Sequence, residues 1–350
     1  MFQRICIALA LLAVLLLPAC ERRQEAAAGG EEAPERLKVS TLPFLSFGPL
    51  FIAQEEGYFA EQGLEIEFVD LRRTQFGVPA LVSGQLDVLA AGMTGGVLNS
   101  IARGADVRMV ADRCHVGYPG QECTWFAALA RPELLENGVL QPGPKKLRIA
   151  TPLDVVHGMM LDRLLADSGL SRADVDVRFV QYPALPDAMA SGTIDVAIVG
   201  EPWVTRLLDT GRAELWVAGE EVVPGGQIGA ICYGPRLLRE EPDIGRRFMV
   251  ANLKGVRQYN RGKTERNLDI LARHTGQDRE LLERLCWPNM RDDGMLNVDS
   301  VTDFQSWAAE RELLDRRLEP EEFWEPAFVQ HAAGALGADV TKGESVSEGG

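Results

Sequence analysis

ALVSGQLDVLAAG, residues 80–92, and AMASGTIDVAIVG, residues 188–200, are two copies of one pattern, with Gly84 and Gly192, Asp87 and Asp195, and Gly92 and Gly200 in register. In each copy a helical end is stopped by glycine, a polar turn carries aspartate, and a short apolar run closes on a second glycine. Glycine supplies the left-handed turn that ends a helix, and such an apolar run suits a strand buried on both faces. Helix followed by buried strand is half of a parallel-sheet unit. Two separated copies predict two α/β lobes of similar build with a cleft between them. Chance likeness between two such units is the competing explanation, against which the two stretches align without a gap.

A chain of 350 residues, 46% hydrophobic, holds two domains of ordinary size. Its net charge of −15 opposes DNA, RNA and anionic lipid surfaces, so no nucleic-acid partner is expected. Arg4 precedes ICIALALLAVLLL, residues 5–17, a run too short to span a bilayer and suited to a secretory leader over 1–19. Leu17-Pro18-Ala19-Cys20 resembles the bacterial lipoprotein cleavage box, which makes Cys20 the expected lipidation site and the anchor the only membrane contact. Residues 20–35 then form a polar tether, and the Gly-rich stretch 334–350 a disordered tail. In an oxidising compartment Cys114 and Cys123 are candidates to close a loop around GYPGQE, with Cys232 and Cys286 either buried or paired with each other.

Apolar spacing and turn residues predict strands over 37–42, 64–71 and 86–91 with helices opening at Pro49, over 75–83 and near Thr94. TWFAALA, residues 124–130, carries the chain into a second lobe with strands 147–151, 175–181, 194–199 and 214–218 and helices 154–168, 184–191 and 202–210. The glycines of EVVPGGQIGAICYG, residues 221–234, return it, and the mostly helical remainder packs on the first lobe. Lobe one is thus 36–124 plus 226–333 and lobe two 125–225, with two crossings forming a hinge.

PLFIAQEEGYF at 49–59 with EQGLEI at 61–66, the 80–92 element, and ALPDAM at 184–189 running through Glu201-Pro202-Trp203 resemble segments of one family, in its order. It comprises the substrate-binding proteins for sulfonates, taurine, nitrate and pyrimidine precursors, also called NMT1/THI5-like, and the resemblance covers about residues 37 to 330. It implies a two-lobed periplasmic binding protein fold, type II-like, each lobe a mainly parallel sheet flanked by helices, with the ligand cleft at the hinge. It also implies a monomeric, periplasm-facing lipoprotein of the bacterial cell envelope that hands a small molecule to an ABC permease and its ATPase, without catalysis, cofactor or metal.

In open α/β sheets the ligand lies beyond the C-terminal strand ends, where helix N-termini point. That rule selects Thr41, Phe44, Ser46 and Phe47 after the first strand, Arg73 after the second, and Thr94 and Gly95 after the repeat strand. In the other lobe it selects Asp154, His157, Tyr182, Glu201 and Trp203, with Trp125 near the crossing. The rings of Phe44, Phe47, Trp125, Tyr182 and Trp203 suit a planar or apolar ligand body, unless they are ordinary lobe core. Many members of the family place a small pair such as Gly-Ser where this chain has Leu153-Asp154. A carboxylate there either caps the helix, for about 1 kcal/mol, or faces the cleft, repelling oxyanions and favouring an aminopyrimidine or amine. Arg73 favours carboxylate or phosphate, and both facing the cleft means a bipolar ligand. His157 is either a cleft hydrogen-bonder or a surface histidine, and Glu201 either a ligand group or a cap.

Two other outputs fit the same fold. One is a receptor for a sensor or a non-ABC transport system. The other is a pyrimidine-synthesis or dehydratase-like enzyme, for which the sequence offers no H-E-x-x-H, C-x-x-C or G-x-S-x-G.

Overall fold

The computed structural model describes residues 33–71, 76–141 and 145–337. Cys20, the leader, most of the tether, Arg73 and the last thirteen residues of the tail therefore lie outside the described residues.

Ten strands form two five-stranded sheets: β1 (Glu35–Thr41), β2 (Leu64–Asp70), β3 (Val88–Gly92), β4 (Arg108–His115), β5 (Phe126–Ala130), β6 (Leu147–Ala150), β7 (Val175–Arg178), β8 (Val196–Gly200), β9 (Glu214–Ala218) and β10 (Gln227–Tyr233). The first sheet has order β2-β1-β3-β10-β4 and the second β7-β6-β8-β5-β9. In the first, β10 runs antiparallel to both its neighbours, and in the second β5 does the same. The remaining strands of each sheet share one direction. Both sheets are thus mainly parallel and have one topology, whose reversed strand is contributed across a crossing between the sheets. The chain makes those crossings at 116–125 and 219–226.

The repeat in the sequence maps onto equivalent positions. β3 and β8 have the same burial pattern, closed on both faces until their terminal glycines. Gly84 and Gly192 take φ of 71° and 67°, the left-handed turn that ends each preceding helix. Asp87 accepts the Lys38 backbone N–H at 2.7 Å and Asp195 that of Arg148 at 2.9 Å, so each aspartate ties the strand it precedes to the adjacent parallel strand. Arg236 pairs with Asp87 at 2.7 Å, and Arg148 with Asp195 at 2.6 Å. The repeated aspartate is a clamp of the sheet.

Helices cover both sheets: α1 (Gly48–Glu55), α2 (Gly77–Val82) and α3 (Gly95–Ala102) in the first half, then α4 (Val156–Asp167), α5 (Leu185–Ala190) and α6 (Trp203–Asp209) around the second sheet. The C-terminal helices α7 (Pro242–Tyr259), α8 (Glu265–Thr275), α9 (Val298–Glu310) and α10 (Ala327–Ala335) follow, with α7 packing on α1 and α10. α10 ends at Ala335, two residues into the stretch expected to be a disordered tail. Phe59, Phe248, Tyr233 and Phe328 interlock as stacked and edge-on rings in the core beneath α7.

The cysteine pairing corrects the expectation. Cys123 bonds to Cys286 with Cα atoms 5.8 Å apart, and Cys114 and Cys232 are free and buried. Cys114 lies within β4, its side chain locked in the sheet. Meanwhile the distant segment 286–291 runs beside that strand, His115 N–H donating to the Asn289 carbonyl at 3.0 Å, and meets Cys123 as the chain leaves β4.

α4 begins against a tight backbone approach: a Cβ on Gly158 would collide with the Leu153 carbonyl oxygen. We expect Gly158→Ala to displace the 151–157 turn and lower stability by roughly 1–2 kcal/mol, measured by urea unfolding.

Candidate functional site: a cleft lined from both sheets

A cavity of about 210 Å³ lies between the C-terminal ends of the two sheets. From the first lobe it receives Phe44, Ser46 and Phe47, which sit on the short turn after β1, and Arg113 near the end of β4. Leu45 and Phe47 are buried by the 3-10 turn, which leaves Phe44 partly exposed on the cavity wall. From the second lobe come Trp125, His157, Tyr182, Glu201 and Trp203, and Pro288 of the C-terminal part contributes a further edge. A second cavity of about 300 Å³ shares Leu42, Phe47, Ala90 and Gly92 with the first and continues beneath α2 and α3, where Thr94 and Asp154 line it.

The aromatic walls are fixed by local packing. Tyr182 and Trp203 stack with centroids 6.0 Å apart and planes 10° from parallel, and the Arg206 guanidinium lies 5.0 Å above the Trp203 ring. Trp125 rests on Gly200, where a Cβ would approach its ring to 3.1 Å, and donates its indole N–H to the His115 carbonyl at 3.1 Å. Burial raises the Tyr182 hydroxyl above its ordinary value, so it remains a neutral donor at physiological pH.

His157 meets Phe126 edge-on at 4.6 Å, and its Nδ1 is sealed from solvent without a hydrogen-bond partner. Burial pushes its pKa down to about 4, so the ring is neutral at pH 7. Glu201 is lifted above the usual carboxylate range by burial, although Thr205 N–H at 3.0 Å, Thr205 hydroxyl at 2.7 Å and Cys286 N–H at 3.4 Å all donate to it. It therefore secures the first turn of α6 while reaching the cleft.

Other positions selected from the sequence have different roles. Thr94 caps α3, its hydroxyl accepting from Val97 N–H at 3.1 Å. Asp154 does not cap α4, whose N-cap is Val155 with no side-chain hydrogen bond; it is exposed on the second cavity instead. Thr41 is buried and Gly95 packs toward Leu313, and neither lines either of these two cavities. Arg113 had no signal in the sequence: it stands in the mixed polar and apolar strand RMVADRCH, between Asp112 and Cys114, and it reaches the cleft through the sheet register. Its Nη1 donates to the Ser46 hydroxyl at 2.7 Å, Nε donates to the Ala91 carbonyl at 3.3 Å, and the guanidinium lies 4.5 Å from the Phe47 ring centre.

The family model described as "NMT1-like family" matches residues 30–213. No curated protein matches the chain. Among solved structures, the ligand-binding component of an ABC-type import system from Staphylococcus aureus, with zinc bound, superposes with TM-score 0.70 at 17% identity, covering 85% of this chain and 99% of that one. The alkanesulfonate-binding protein SsuA from Xanthomonas axonopodis pv. citri, bound to MOPS, gives 0.61 at 20% identity, covering 83% and 98%. The same fold carries an enzyme: the desulfurization enzyme DszB gives 0.60 at 16% identity, covering 86% and 99%. At these identities the likeness is one of fold, a two-lobed α/β binding-protein architecture.

Proposed function

The chain belongs to the NMT1-like family, and from that premise we propose that it is an extracytoplasmic solute-binding protein that captures a small organic ligand between its lobes and delivers it to an ABC import permease. The observation that carries this reading is the cavity of about 210 Å³ walled by aromatic side chains from both lobes. A ligand touching both walls binds the closed arrangement better than the open one, and only that difference in affinity can drive closure about the two crossings. Closure then gives a permease a shape to recognise. The ABC-import assignment follows the kind of protein that the Staphylococcus aureus structure represents.

Capture fits the chemistry of the cleft better than catalysis. The two free thiols among the described residues, Cys114 and Cys232, are fully buried and pushed up by burial to about 11 and about 12. A thiol needs a lowered pKa and access to act as a nucleophile. His157, held neutral at pH 7, offers a hydrogen bond to a ligand without adding charge to the cleft.

The experiment is a thermal-shift screen with sulfonates, carboxylates, aminopyrimidines and amines. A true ligand at a hundredfold excess over its Kd stabilises the folded protein by about 2.7 kcal/mol. We expect Trp203→Ala to unfold cooperatively but lose that shift; an unchanged shift removes the cleft from consideration. In the same reading Cys20 is acylated and residues 21–35 tether the protein to its membrane. Cys20→Ala should then move it from the membrane fraction to the soluble one.

A further inference from the structure

α9 is fastened to the first lobe at both ends. The Gln227 N–H, where β10 begins, donates to the Ser300 hydroxyl at 2.8 Å, and past the far end Asn99 of α3 donates to the Leu313 carbonyl at 2.9 Å. Arg103, one residue beyond α3, pairs with Asp315 at 2.6 Å and holds the same end. Between these anchors α9 meets α4 of the second lobe. There Asp162 accepts from the Trp307 indole N–H at 2.8 Å and from Arg311 Nε at 2.8 Å. Its other oxygen accepts from Arg172, which belongs to the second lobe as Asp162 does. Ion pairs also join the lobes at Arg163 with Asp303 and at Asp209 with Arg284. The carboxylates of both are about half exposed, a setting in which an ion pair contributes little. The Asp162 side chain is 8% exposed, so its hydrogen bonds meet little competition from water. It lines neither cavity of the candidate site.

We propose that Asp162 is a positioning residue of the closed arrangement, in which both walls face one cavity: through Trp307 and Arg311 it latches the second lobe to α9 and so sets how tightly the cleft holds a ligand that Asp162 never touches. The consequence for affinity rests on the ligand-capture reading, whereas the latch itself is testable without a ligand. When the lobes part, Trp307 and Arg311 withdraw with the first lobe and Arg172 stays on Asp162. The carboxylate then keeps a counter-charge and gains water, so the latch releases without stranding a buried charge. A ligand that needs the closed arrangement binds with its intrinsic Kd divided by the fraction closed, so every factor taken from the closed population returns as weaker binding. Arg311 is 43% exposed and its share is small. The bond from buried Trp307 to the buried carboxylate carries most of the effect, about tenfold in the closed-to-open ratio.

The test is hydrogen exchange by mass spectrometry together with small-angle X-ray scattering, on the full chain without added ligand, on a Trp307→Phe, Arg311→Gln double variant and on Arg172→Gln. Phenylalanine keeps a ring against Phe304 and removes the indole N–H. The reporters are amides bonded across the lobes to groups other than Asp162. Gly95 N–H donates to the Asp154 carbonyl at 3.4 Å, and Cys286 N–H donates to Glu201 at 3.4 Å. In the double variant the peptides that hold these amides should exchange about tenfold faster and the radius of gyration should rise, with β3 as slow as before. Arg172→Gln removes a donor within one lobe and should change neither. Unchanged reporters in the double variant, equal acceleration in Arg172→Gln, or acceleration that extends to β3 overturns the latch. The thermal-shift screen is scored separately. A screen without hits beside accelerated reporters removes ligand capture and keeps the latch, and a ligand bound with unchanged affinity by the double variant overturns the positioning role.

Discussion

Replacing Cys123 and Cys286 together by serine lowers the unfolding free energy by about 2–5 kcal/mol, in the range seen for native disulfides. The bond spans a sequence separation of 163 residues, so the unfolded chain that it constrains is large. It also ties the first crossing between the sheets to the C-terminal part, beside the Cys286 N–H that donates to Glu201. Thiol titration and urea unfolding of the double variant and of the reduced protein measure the effect, and the two should coincide. A reduced protein as stable as the oxidised one contradicts the assignment of this bond as structural.

Asp195→Ala is expected to cost about 2–3 kcal/mol, the loss of a mostly buried charge cluster discounted because Arg148 is about one-third exposed. The carboxylate accepts from the Arg148 backbone N–H at 2.9 Å, from Arg148 Nε at 2.8 Å and Nη2 at 2.6 Å, and from Arg131 at 3.5 Å. Burial by itself raises its pKa, but those hydrogen bonds and the two guanidinium charges outweigh it and hold the group below the ordinary aspartate value. A lowered folded pKa means a contribution fully present above the unfolded value of about 4 and lost as pH falls through the folded one. The gap between the natural protein and Asp195→Asn should therefore be constant from about pH 5 to 8 and close below about pH 4. Urea midpoints across that range report it, and a gap that widens on acidification contradicts the clamp.

The architecture was legible because its signals are local. The paired glycines and aspartates at 84–92 and 192–200 mark equivalent turns and strands, and the structure gives the two strands one burial pattern and the two aspartates equivalent hydrogen bonds. The loops at strand C-termini were legible for the same reason, so Phe44, Tyr182 and Trp203 could be selected from their position in the pattern. What escaped depends on contacts between distant segments. Arg113 reaches the cleft because β10 pairs with β4 and offers Gly229 beneath it, a register no local window contains. The Cys123–Cys286 bond depends on the 286–291 segment lying along β4, whereas Cys114 merely stands nearer in sequence. For Asp154 the sequence left two roles open, a helix cap or a group facing the cleft: the N-cap of α4 is Val155, and the carboxylate stands on the wall of the second cavity.

Hydrogen exchange followed by mass spectrometry, on the free protein and with a saturating ligand found in the thermal-shift screen, tests the two-walled cleft most directly. The account predicts simultaneous protection of 41–47 and 110–116 in one lobe and of 151–158 and 199–206 in the other. Protection confined to one lobe, or lying outside these four segments, contradicts it.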